Sequence, residues 1–201
     1  MVIQNQNRTQ IQRRVLQTFN VTPTEKRIDT DYYVEGYATT FDQPYLLFEF
    51  GGQKYYERIS SDALVGADMS DVILQCNHEG KVLARQSNQT LGIEPDAHGL
   101  FVYADLSKSR AAQELYDEIK SGLVTKMSWG FTVREESFDK DTLTWTIHKI
   151  NRVYDVSAVS IPANADTEIA ARSRLDQLKA QQIIARKRAI DILNFNMKIG
   201  G

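Results

Sequence analysis

Residues 126–137 read KMSWGFTVREES, and the alternation inside that run sets the fold class. In an extended chain Met127, Trp129 and Phe131 share one face, and Ser128, Gly130 and Thr132 share the other. The bulky face demands a core. The opposite face is stripped to small side chains around one hydroxyl. That suits either a small-residue sheet face packed on a neighbour or a place where a substrate backbone approaches. Two further strand patterns follow, LTWTIHKI at 143–150 and VYDVSAVSI at 153–161, with Pro162 closing the second.

Upstream, YYVEGYATTF (32–41) alternates, and LLFEFGGQKYYERI (46–59) reads as two strands about a Gly51-Gly52 hairpin turn. SSDALVGAD (60–68) suggests a short helix capped by Ser60 or Ser61. DVILQCNH (71–78) is a strand with a β-branched and aliphatic start. KVLARQSNQTLGIEPDAHGLFVYADL (81–106) gives three short strands, with turns at Ser87-Asn88 and from Asp96 to Gly99. SKSRAAQELYDEIKSG (107–122) is the one strong helix. Ala111, Leu115, Ile119 and Leu123 keep helical spacing, and Gly122 stands where a C′ glycine belongs. Many short strands around one solid helix favour a mainly β fold with helices, a barrel or curled sheet, over a doubly wound parallel one.

Composition narrows the class. The chain has 201 residues, 42% hydrophobic and 25% charged, as expected for a globular protein and not for a disordered one. No stretch approaches the length of a membrane span, and the opening MVIQNQNRTQIQRRV has no apolar signal core. A single cysteine, Cys76, excludes a disulfide framework and any cysteine-based zinc site. No Gly-rich phosphate-binding pattern occurs. The net charge is −2, but residues 172–201 hold seven bases against two acids, net +5, which leaves −7 on residues 1–171. The expected organisation is a flexible polar leader over 1–28, one domain over 29–171, and a basic helical tail over 172–201.

Three residues carry the chemistry. Ser128 is a nucleophile candidate. His78 ends an apolar run, where an imidazole that exchanges protons near neutral pH suits a general base. Asp155 is an acid inside an apolar strand, so it needs a partner: a histidine, backbone N–H groups, or one of Arg85, Arg134 and Arg152. Cys76 would share a strand face with His78, but residues two apart are about 6.5–7 Å apart, beyond hydrogen-bond reach. A buried core cysteine is the simpler reading. His98 in a turn and His148 in a strand make no metal-binding pattern with His78. Each residue also has a structural reading of its own. Together they supply a nucleophile, a base and an orienting acid in one small domain, and such triads are defined by role, not by chain order.

The ordered set from Tyr33 to Arg172 resembles the prohead maturation proteases of tailed bacteriophages. The resemblance rests on VEGYATTFDQP (34–44), YYERISSDAL (55–64), Asn77-His78, Leu91-Gly92, the helix leading into MSWGF (127–131), and DVSAVSIPANADTEI (155–169). It implies a fold like that of the herpesvirus assembly proteases, a compact β-barrel surrounded by helices. It also implies a serine endopeptidase with His78, Ser128 and Asp155 as catalytic residues, and no cofactor or metal. Glu79 stands where Asp is frequent in that family, and Trp129 replaces a usual Phe. Herpesvirus relatives use a second histidine, which keeps His148 as a rival to Asp155. Oxyanion donors are expected from backbone N–H groups near Trp129 and Gly130 or from Arg85.

The partners the resemblance implies are the major capsid protein or a scaffold protein, and the protease itself as a self-cleaving, oligomeric enzyme. They act inside the assembling prohead in the host cytoplasm, with no membrane and no need for nucleic acid. Two alternatives are a catalytically inactive prohead protein of the same fold and a hydrolase using Cys76.

Overall fold

The computed structural model describes residues 2–19, 21, 25–160, 180, 183, 184 and 186–192. Ten strands and a helix follow in order: β1 (Val2–Thr18), β2 (Tyr33–Thr40), β3 (Tyr45–Phe50), β4 (Gln53–Ile59), β5 (Ile73–Cys76), β6 (Glu79–Arg85), β7 (Leu91–Pro95), β8 (Gly99–Asp105), α1 (Arg110–Lys120), β9 (Lys126–Asp139) and β10 (Thr144–Val159). The chain divides into two compact units, Met1–Leu47 with Lys54–Pro162, and Phe48–Gln53 with Ala163–Gly201.

In the first unit β9 and β10 form a long antiparallel hairpin, and β1 pairs with the outer edge of β9. Four register shifts interrupt the β9–β10 ladder. Such bulges bend a strand and increase its twist, and β10 divides its free edge between two partners. Thr144–Ile147 run parallel to β4, and Asp155–Ala158 run parallel to β5. The hydrogen-bonded order is β1-β9-β10-β4-β3, with β5 and β6 attached through β10. A second sheet, β2-β8-β7, stands apart.

The expectation of a closed barrel ringed by helices is therefore corrected. A barrel needs its edge strands to pair, and among the described residues no ladder joins the two sheets or the outer strands β1 and β3. The architecture is mixed α+β and mainly β. Val34, Ala38, Leu100, Val102 and Ala104 from the small sheet share one core with Met127, Trp129, Phe131 and Val133, the bulky face of β9.

Helix α1 contributes Ala112, Leu115 and Ile119 to this core. Ser109 caps its start, accepting the N–H of Ala112 at 3.2 Å. Gly122, at φ +77°, turns the chain out of the helix. Leu123, expected on the apolar stripe, therefore lies past the end and is exposed. The predicted helix over 60–68 is instead a run of turns, with Ala63, Val65 and Ala67 each donating to the carbonyl three residues back.

Residues 2–18, read from sequence as part of a loosely ordered leader, form β1. An edge strand needs backbone partners more than apolar alternation, and the free edge of β9 supplies them. Arg14 latches β1 to the sheet. Its Nε and Nη2 donate to the buried Glu57 carboxylate at 2.5 and 3.0 Å, which Tyr45 also contacts through its hydroxyl. Burial works against the Arg14 charge, but Glu57 beside it outweighs that and holds the guanidinium protonated.

Of the second unit, the described residues are Phe48–Gln53, with Gly51 and Gly52 in the left-handed region, and helical residues 180, 183, 184 and 186–192. Ile183, Ile184, Ile190 and Ile192 are exposed. Pro162 and most of the predicted tail helix, including Leu175, Leu178 and Leu193, lie outside the described residues.

Candidate active site

The register of three strands assembles the site. Along β10, Asp155 and Ser157 share a face, and the β9–β10 ladder sets Ser157 opposite Ser128 and Asp155 opposite Gly130. On the other side of β10, β5 runs parallel and ends at Cys76, level with Ala158. The chain then reverses through Asn77 and His78, a two-residue turn with φ of +51° and +60° before Cys76 pairs with Glu79. His78 is thus not the last residue of a strand, as expected, but half of a hairpin turn. Both φ values lie in the left-handed region, which costs about 1–2 kcal/mol per non-glycine residue. The turn is pinned to β10 by the Asn77 N–H donating to the Ala158 carbonyl at 2.9 Å and the His78 N–H donating to Ser157 Oγ at 3.2 Å.

From this turn the imidazole reaches across β10. Its Nδ1 lies 2.5 Å from Asp155 Oδ1 and its Nε2 lies 2.5 Å from Ser128 Oγ. An ionised carboxylate only accepts, so Nδ1 carries the proton and Nε2 is free to accept from the serine hydroxyl. Ser128 is fully buried, and the side chains of His78 and Asp155 are 7% and 10% exposed. Water is largely excluded, which strengthens each electrostatic contact.

Gly130 makes room for this arrangement. A Cβ built there lies 3.3 Å from Asp155 Cγ and closer still to Oδ2, with Ile11 Cγ2 at 3.4 Å. The space left by the small-residue face is filled by the Asp155 carboxylate of this chain. Two contributors escaped the sequence reading, Gly130 as a seat for the acid and Ser157, whose hydroxyl donates to Asp155 Oδ1 at 2.9 Å. The signal for Ser157 was its position two residues after Asp155, on the same strand face.

The other candidates lie elsewhere. His148 Nε2 is 2.7 Å from Ser137 Oγ, and His98 packs edge-on against Tyr37. Both ring nitrogens of His78 are taken, and Glu79 is exposed, lining a cavity of about 250 Å³ with Cys76, Leu83 and residues of α1. Burial, then the charge of Glu118, pushes the Cys76 thiol up, which disfavours a thiolate nucleophile. Arg85 and Arg152 pair with Asp71 and Asp68, and Arg134 is exposed. Trp129 and Gly130, expected as backbone oxyanion donors, sit in register between β1 and β10. Among the described residues no cluster of three or more histidine, cysteine or acidic side chains could hold a metal, and no helix is long and apolar enough to cross a membrane.

A hydroxyl, an imidazole and a carboxylate in one hydrogen-bonded line can support nucleophilic acyl transfer. The family model of the caudovirus prohead serine proteases matches residues 19–181. The chain belongs to that family of phage serine proteases, which act in capsid maturation on capsid or scaffold proteins. No curated protein and no solved structure matches it.

Proposed function

We propose that Ser128 is the nucleophile, His78 the general base and Asp155 the acid that orients it. The observation carrying this reading is the position of the imidazole, which bridges Ser128 Oγ and Asp155 Oδ1 through its two ring nitrogens. His78 Nε2 takes the proton as Ser128 Oγ attacks a peptide carbonyl. The resulting imidazolium is stabilised by Asp155 and then donates its proton to the leaving amine. Water repeats the sequence to release the acyl group. The three side chains carry the proton and acyl transfers, with oxyanion donors supplied in addition, and these steps call for no metal or cofactor.

The substrates of this reading are scaffold protein or the scaffold-like region of the major capsid protein, cut inside the assembling prohead, and the protease itself. The deciding experiment is co-expression with the cognate capsid protein followed by intact mass. Ser128→Ala and His78→Ala should each abolish processing, since loss of nucleophile or base costs on the order of 10⁶ in kcat. A fluorophosphonate should label Ser128 in the wild type. Processing by Ser128→Ala would overturn the assignment. A protein that neither labels nor processes would be the inactive prohead component.

A further inference from the structure

Asp155 Oδ1 meets two groups, His78 Nδ1 at 2.5 Å and the Ser157 hydroxyl at 2.9 Å. The same Ser157 oxygen accepts the backbone N–H of His78 at 3.2 Å. A closed circuit results: the His78 N–H donates to Ser157, Ser157 donates to Asp155, and Asp155 accepts from the ring of His78. Ser157 has no exposure to solvent and stands directly opposite Ser128 across the β9–β10 ladder.

We infer that Ser157 is a positioning residue that holds His78 by both its backbone and, through Asp155, its ring. This rests on the proposed roles of His78 and Asp155. Two physical facts support it. His78 occupies a left-handed conformation in a two-residue turn, and a strained residue persists only where its surroundings over-determine it. The Ser157 hydroxyl supplies one of those restraints and the Ala158 carbonyl, acting through Asn77, another. In addition, a hydroxyl can donate and accept at once, which this circuit requires and which neither a methyl nor a carboxylate offers. Without Ser157 the His78 N–H loses its acceptor, and Oδ1 keeps only one of its two donors, the ring N–H, so both the turn and the carboxylate are held less firmly. A residue that merely filled the small-residue face would be replaceable by alanine.

The test uses the full chain and a fluorophosphonate probe, with saturation kinetics separating the maximal acylation rate from the half-saturating concentration. Ser157→Ala should lower the maximal rate roughly ten- to hundredfold while the half-saturating concentration stays within about twofold, as for a small misplacement of catalytic groups. Ser157→Thr, which keeps the hydroxyl, should recover most of the rate. The low-field proton resonance of the His78 ring Nδ1–H should be sharp in the wild type and Ser157→Thr, and broadened or displaced in Ser157→Ala. If Ser157→Ala does not fold, Ser157→Cys fills the site with a somewhat larger atom that is a poor donor and acceptor, and should show the same loss. Wild-type rate and an unchanged resonance in Ser157→Ala, or in Ser157→Cys, would overturn the inference. Failure of the wild type to label at Ser128 would instead overturn the proposed catalytic roles, and the ring resonance would still report whether Ser157 holds His78.

Discussion

Gly130→Ala is a sharp perturbation of the site because its effect follows from geometry alone. The added methyl would lie 3.3 Å from Asp155 Cγ and inside contact distance of Oδ2. The backbone of Gly130 cannot retreat easily, since β9 is paired on both sides. Ile11 Cγ2 at 3.4 Å closes the space beyond. The carboxylate must therefore swing, and restoring normal contact takes a shift on the order of 1 Å, enough to cost about 10²-fold in rate. If the swing breaks the bond to His78 Nδ1, the loss approaches that of removing the orienting acid, on the order of 10⁴. Alanine is tolerated in a strand, so the fold should survive.

The assay is fluorophosphonate acylation of Ser128, alongside capsid processing read by intact mass, with circular dichroism to confirm the fold. Asp155→Asn serves as the reference. A folded Gly130→Ala variant that acylates at the wild-type rate would refute both the tight seat of the carboxylate and its part in catalysis.

Three further outcomes are expected. Glu57→Ala should lower stability by about 3 kcal/mol in chemical denaturation, because it takes the bidentate carboxylate from a largely buried Arg14 guanidinium; replacing both residues with methionine should cost less, and an equal or larger loss would exclude the latch. Asp105 is buried, which raises a carboxyl, but the Ser107 N–H, the Thr30 hydroxyl, Ser107 and Lys108 outweigh this and hold it below its ordinary range. Its stabilisation is present above the ordinary carboxylate pKa and lost as pH falls through the folded value, so the gap between wild type and Asp105→Asn should close below about pH 4; a gap independent of pH would contradict this. Deleting residues 173–201, net basic by sequence, should leave acylation of Ser128 intact and lower incorporation into proheads, as counted by protease copies per particle, if this segment docks on an acidic scaffold helix; normal packaging would refute such docking.

Much of the strand pattern was legible from local sequence. The alternation of 126–137, the Gly51-Gly52 turn and the helical spacing within 107–122 are short-range signals, and β9, the β3–β4 turn and α1 follow them. The helix expected over 60–68 does not form: Gly66 adopts φ +79° and the backbone closes four-residue turns, with each N–H bonded three residues back, instead. Residues 2–18 carry no strand pattern of their own, because an edge strand gains its order from the free backbone of β9, a partner more than a hundred residues away in the chain.

The residue types at the site were open to sequence reasoning, since a serine on a stripped strand face, a histidine after an apolar run and an acid among aliphatics are each locally unusual. Their meeting was not. Ser128 and Asp155 come onto one sheet face, two residues out of level, only through the β9–β10 register, and bulges, which have no dependable sequence mark, set that register. His78 arrives through the parallel pairing of β5 with β10, between segments about eighty residues apart, and through a left-handed turn that a strand reading of DVILQCNH conceals. That no ladder joins the two sheets among the described residues belongs to the same class of fact. Alternation says which face of a strand is buried, but only pairing between distant segments decides whether a sheet closes, because the ladder bonds are identical for every residue and leave no trace in side-chain chemistry.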